Sequence, residues 1–154
     1  MVPESHDPST VNAIAVTVED VVAAVEMNRT SSRTAVLRLT PPFSGRMRAR
    51  LHVDQGEPYA DNPEPVHIPP GELLADDAPS YPRPADTEDE LRADPNVAYT
   101  LERHRERHAV AVAAWREAVP RAIRDELALE TKEGSERVTV STLGDPPKRT
   151  ESDE

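Results

Sequence analysis

The sequence predicts an α+β fold: a small, mainly antiparallel sheet of about four strands in two hairpins, two helices on one face, and a long proline-rich acidic excursion. Three observations lead there. Helical and alternating apolar patterns follow one another twice along the chain, in the same order. Residues 54–97 carry nine prolines and twelve carboxylates against Arg83 and Arg92 alone, a composition that closes no core of its own. The chain has 154 residues, enough for one domain, and its apolar content of 36% limits that domain to a small core.

Residues 1–10, broken by Pro3 and Pro8, read as a flexible tail. Residues 11–16 read as a short strand. Thr17 followed by Asp20 marks a helix start, with the hydroxyl as N-cap and the acid near the positive helix end. Val18, Val21, Val22 and Val25 then recur at helical spacing through about Asn28. A helix this short is marginal alone and must pack on something. The first hairpin follows. Residues 34–40 turn Ala35, Leu37 and Leu39 to one face, and residues 41–45 form the connection. Residues 46–53 alternate Met47, Ala49, Leu51 and Val53 against Arg46, Arg48, Arg50 and His52.

In the excursion, Val66–Ile68 and the Leu73–Leu74 pair are the apolar points expected to be pinned, with a protease-accessible stretch around residues 85–94. Thr100 caps a second helix whose stripe runs Leu101, His104, His108, Ala111, Val112, Trp115 and Val119, and Pro120 ends it. The second hairpin pairs residues 127–131 with residues 136–142. From Gly144 the chain is charged. The expected organisation is therefore a tail over 1–10, one α+β domain over 11–143 that includes the 54–97 excursion, and a tail over 144–154.

Charge sets the broad class. Asp and Glu number 29 against 18 basic residues, a net charge of −11, and all the basic residues except Lys132 and Lys148 are arginine. In composition, over its full length, the chain resembles the small acidic proteins of halophilic archaea that accumulate salt in the cytoplasm. The resemblance implies a surface on which carboxylates hold water and cations, and it implies no activity. There is no cysteine, hence no disulfide, thiolate nucleophile or cysteine zinc site. No apolar run approaches the ~18 residues of a membrane span, and the first residues lack the pattern of a signal peptide. The expected location is the cytoplasm.

One basic segment stands out. Arg29, Arg33, Arg38, Arg46, Arg48 and Arg50 fall in a stretch without a carboxylate. Arg38, Arg46, Arg48 and Arg50 are placed with His52 on one sheet face, and guanidinium groups suit bidentate capture of carboxylate or phosphate. Three readings compete: recognition of an acidic protein partner, contact with nucleic-acid backbone, and pairing with carboxylates of the excursion. At molar salt the screening length is ~3 Å, so long-range attraction to nucleic acid is lost. The strand also carries no aromatic residue on which bases stack.

His104 and His108, at i and i+4, have the spacing of a metal-chelating pair. They do not form a His-Glu-x-x-His motif, and their place on the stripe leading to Trp115 makes them edge the core. No metal or cofactor is expected. The proline segments at residues 66–70 and 80–84 read as rigid linkers rather than ligands for another protein's groove. No phosphate-cradling glycine loop, nucleophile elbow or dinucleotide fingerprint is present. The sequence thus reads as a non-enzymatic binding protein whose partner is an acidic protein or, alternatively, nucleic acid, and it leaves the oligomeric state open.

Overall fold

Thr17 ends one element and begins the next. Strand β1 (Ala13–Thr17) buries Ile14 and Val16, and Thr17 then caps helix α1 (Val18–Thr30) by accepting from the Asp20 amide at 3.0 Å. Glu19 and Asp20 occupy the first turn, where the helix dipole favours acids. The helix buries Val18, Val21 and Ala24 against the sheets. Its C-terminal end is tied to the next strand by Asn28, whose side chain donates to Ala35 O at 3.0 Å and accepts from Ala35 N at 2.6 Å.

The computed structural model describes residues 7–54, 65–131 and 134–144. After α1 come strands β2 (Thr34–Leu39), β3 (Arg46–Arg48), β4 (Arg50–Asp54) and β5 (Val66–Ile68), helices α2 (Pro84–Ala93) and α3 (Leu101–Ala118), and strands β6 (Glu126–Thr131) and β7 (Gly134–Leu143). The class is α+β, as the sequence predicts. The expected single sheet of about four strands is instead two sheets, and three helices replace the expected two. One sheet runs β3-β1-β7-β6, with β1 parallel to both neighbours and β6 antiparallel to β7. The other runs β4-β2-β5 and is antiparallel throughout. Ile14, Val138, Val140, Leu127 and Leu129 of the first share a core with Ala35, Leu37, Leu39 and Ile68 of the second, closed by Val21 and Ala24 of α1 and by Phe43.

The strand expected over residues 46–53 therefore serves both sheets, and it changes sheet at Ala49. Ala49 is 0% exposed, and its N–H makes the last bond to β1, at 2.9 Å to Ala15 O. Leu51 N–H is then taken by the Asp20 carboxylate of α1 at 3.2 Å, and Leu51 sits opposite Leu37 in the second sheet. A side-chain oxygen thus supplies the acceptor that a neighbouring strand would give, so the chain changes sheet without orphaning a donor. Met47, Ala49 and Leu51 all turn to the core across the change. The alternation is uninterrupted, so the pattern carries no sign of it.

The excursion is more structured than its composition suggests. Val66–Ile68 pairs with β2, Leu73 is buried, and Leu74 bridges to Ile123. The stretch expected to be protease-accessible is helix α2, started by Pro84 in its first turn and packed on α3 through buried Thr87 and Leu91. Its apolar positions are too few to show a helical stripe; α3 supplies the packing. Thr100 caps α3 by accepting from the Arg103 amide at 3.0 Å, as predicted. Val112, Trp115 and Val119 are buried, whereas Leu101 at the start of the stripe is 57% exposed. A 3-10 turn at Val119–Ala122 follows, where Pro120 lies. The second hairpin forms with Leu127 opposite Val138. Of the tails expected over 1–10 and 144–154, residues 1–6 and 145–154 lie outside the described residues, as do the excursion's residues 55–64; Pro8–Thr10 form a 3-10 turn whose start Asp7 caps. Among the described residues, no helix is long and apolar enough to cross a membrane.

Candidate functional site

The five residues of the predicted basic face are divided between the two sheets. Arg46 and Arg48 stand opposite Ala13 and Ala15 on the outer face of the four-stranded sheet. Arg50 and His52 belong to the outer face of the three-stranded sheet, where Arg50 is opposite Arg38 and His52 is opposite Val36. Because Ala49 alone separates the two groups, Arg46, Arg48, Arg50 and His52 form one row along a strand that passes from sheet to sheet. Residues two apart on a strand repeat every ~6.6 Å on the same side, which sets the spacing of Arg46 from Arg48 and of Arg50 from His52.

Arg38 is the central group of the smaller face. Its Nη1 donates to the His52 ring, at 2.9 Å to Nδ1, so the imidazole faces the guanidinium with an accepting nitrogen. On the other side Arg38 lies opposite His67 of β5, and the rings of His52 and His67 are 5.4 Å apart. His67 is thus a site residue that the sequence reading did not place beside Arg38 and His52. Its position between Val66 and Ile68 carried an alternation signal, but over three residues inside a proline-rich stretch.

Five of the eight carboxylates in residues 65–97 pair with other arginines. Asp76 pairs with Arg124, Asp86 with Arg83, Glu88 with Arg92, and Glu90 and Asp94 with Arg107. Among the described residues, Arg46, Arg48 and Arg50 enter no ion pair. Arg46 and Arg50 are exposed. Arg48 is half-buried, and its Nε is out of solvent with no hydrogen-bond acceptor among the described residues. An arginine arrangement of this kind can bind carboxylate or phosphate oxygens.

The two candidate metal ligands do different work. His104 Nε2 and His108 Nδ1 both lie 3.0 Å from the buried Thr87 hydroxyl, and His104 Nε2 is also 3.0 Å from Pro84 O. The pair therefore fastens α3 to α2. No group of three or more metal-ligating side chains occurs among the described residues. The proline segment at 80–84 also has an internal role. Tyr81 sits edge-on to Trp115 with ring centroids 4.8 Å apart, and Trp115 Nε1–H donates to Pro79 O at 3.0 Å. The segment is a strap held against the molecule by aromatic contacts.

No curated protein and no solved structure matches the chain. A family model matches residues 1–144, and the chain belongs to that family, described as a domain of unknown function (DUF8009).

Proposed function

We propose that the protein is a non-enzymatic binding protein of a high-salt cytoplasm, which recognises an acidic partner protein through Arg38, Arg46, Arg48, Arg50 and His52. The observation that carries this reading is the contrast in ion pairing. In a chain with a large excess of acid, six other arginines meet a carboxylate, whereas Arg46, Arg48 and Arg50 meet none among the described residues; unlike the scattered Arg29, Arg33, Arg103, Arg105 and Arg121, which also enter no ion pair there, they stand on one side of one strand. The ~6.6 Å repeat of Arg46 and Arg48 equals that of alternate side chains on an extended peptide, so an acidic strand can meet those two one for one, with Arg50 beyond the change of sheet. The neighbours Ala13 and Ala15 give bases nothing to stack on, which favours an acidic protein over nucleic acid.

The test is the variant Arg46→Gln/Arg48→Gln/Arg50→Gln, titrated by fluorescence anisotropy with a glutamate-rich peptide and with a single-stranded oligonucleotide. Peptide affinity should fall by about tenfold or more. The unfolding free energy should stay within about 1 kcal/mol of wild type, because exposed charges contribute little individually. A loss of several kcal/mol would make the row a structural element instead. Oligonucleotide binding tighter than peptide binding would move the assignment to nucleic-acid backbone.

A further inference from the structure

We infer that the outer face of the four-stranded sheet is a homodimer interface, in which the carboxylate met by Arg46 is Glu126 of a second copy. The inference rests on the reading of Arg46 and Arg48 as recognition groups and names their partner.

One row of residues crosses the sheet. Arg46 is opposite Ala13, Ala13 is opposite Thr139, and Thr139 is opposite Glu126. Their sequence neighbours Met47, Ile14, Val140 and Leu127 turn to the core, so all four project from the outer face. The row is therefore long and basic at one end, small in the middle, and long and acidic at the other. A two-fold axis parallel to the strands, between β1 and β7, lays β6 of the second copy over β3 and β7 over β1. Arg46 then faces Glu126, Ala13 faces Thr139, and the contact repeats in reverse, as an isologous interface requires. A two-fold axis across the strands would instead stack Arg46 on Arg46 and Glu126 on Glu126, so charge selects the first arrangement.

Three further observations fit a second copy. No α-helix packs on this face among the described residues: Ala128, Thr139 and Ser141 are exposed, and Leu143 is 41% exposed. Small central side chains let two sheets approach closer than the usual ~10 Å, which brings the long edge side chains within reach of each other. Finally, the edge groups have capacity left. Among the described residues, Arg48 Nε lacks an acceptor, and Glu126 gives Oε1 alone, to Arg137 at 2.8 Å. Arg48 stands diagonal to the position of Glu126, a distance long side chains span. Four strands ~4.8 Å apart make a small interface, so the dimer is weak and concentration-dependent. Two copies of net charge −11 repel one another at long range, so association strengthens as salt screens that repulsion.

Sedimentation equilibrium in molar KCl tests this on the full chain. Wild type should pass from monomer to dimer with rising concentration. Arg46→Glu and Glu126→Arg should each raise the dissociation constant about tenfold or more. The doubly exchanged chain should recover the wild-type constant, and so should an equimolar mixture of the two single variants. Recovery also shows that neither substitution acts by unfolding. Wild type that stays monomeric at every concentration, or exchange that restores nothing, overturns the inference. If Arg46→Glu weakens glutamate-peptide binding while Glu126→Arg leaves assembly unchanged, the row binds an acid other than Glu126, and the proposed function stands without the dimer. If Arg46→Glu changes neither, both fall.

Discussion

Arg116 and the arginine row on the strand from 46 to 50 show two fates of the same residue in one acidic molecule. Arg116 of α3 reaches Glu26 of α1 with Nε at 3.0 Å and Nη2 at 2.8 Å, and the Tyr81 hydroxyl donates to the same carboxylate oxygen at 3.1 Å. The Glu26 side chain is 19% exposed, so these bonds form partly out of water and join α1, α3 and the strap. On the strand, Arg46, Arg48 and Arg50 have no such partner among the described residues, although acid is abundant. The difference teaches that pairing follows position rather than supply. Elements that pack on one another bring acid and base together, whereas an outward row is left for whatever docks on it.

Two substitutions probe the fastened side of that comparison and a third the outward row. Trp115→Ala has the largest expected effect. The ring is 3% exposed, packs on Tyr81 and bonds to Pro79 O, so its loss should cost about 3–5 kcal/mol in urea unfolding. A cost below about 1 kcal/mol would mean that the strap is held by something else. Glu26→Gln comes next. It keeps the shape but removes the charge shared by Arg116 and Tyr81, and should cost about 1 kcal/mol, reduced because Arg116 is itself exposed. Arg46→Gln should cost close to nothing. Equal costs for Glu26→Gln and Arg46→Gln in the same denaturation experiment would erase the distinction between fastened and outward arginines.

Tyr81→Phe removes the bond to Glu26 at every pH and should have a second effect that appears only at alkaline pH. Burial, followed by the hydrogen bond and charge of Glu26, raises the Tyr81 pKa above the ordinary tyrosine value near ~10. The folded state therefore keeps the phenolic proton to higher pH than the unfolded chain. The stability this confers is fully present below the unfolded pKa and is lost as pH rises through the folded one. Wild type should lose stability on that alkaline limb more steeply than Tyr81→Phe. Parallel pH profiles of the two would place the Tyr81 hydroxyl outside the Glu26 contact.

The residues show which parts were legible beforehand. Thr17 and Thr100 were readable as caps because capping is a contact between residues three apart. The β6–β7 hairpin was readable because a short connection leaves its two strands little choice of partner. The outward direction of Arg46, Arg48 and Arg50 was readable because alternation is a property of the strand itself. His67 was not legible as a neighbour of His52 and Arg38, since a three-residue strand gives too little pattern. Helix α2 was not legible because its two buried residues, Thr87 and Leu91, find their packing on α3.

By itself, then, the sequence determined the α+β class, the helix caps and the side of the strand on which each arginine stands. These rest on contacts within a few residues. Only the tertiary structure decided that β1 runs parallel to both β3 and β7, that the arginine strand leaves one sheet for another at Ala49, and that Arg46 and Glu126 end the same row. Those outcomes depend on which distant segment supplies each hydrogen bond. Here the Asp20 carboxylate, 31 residues before Leu51, is one such supplier, and periodicity along the chain is the same whichever partner answers.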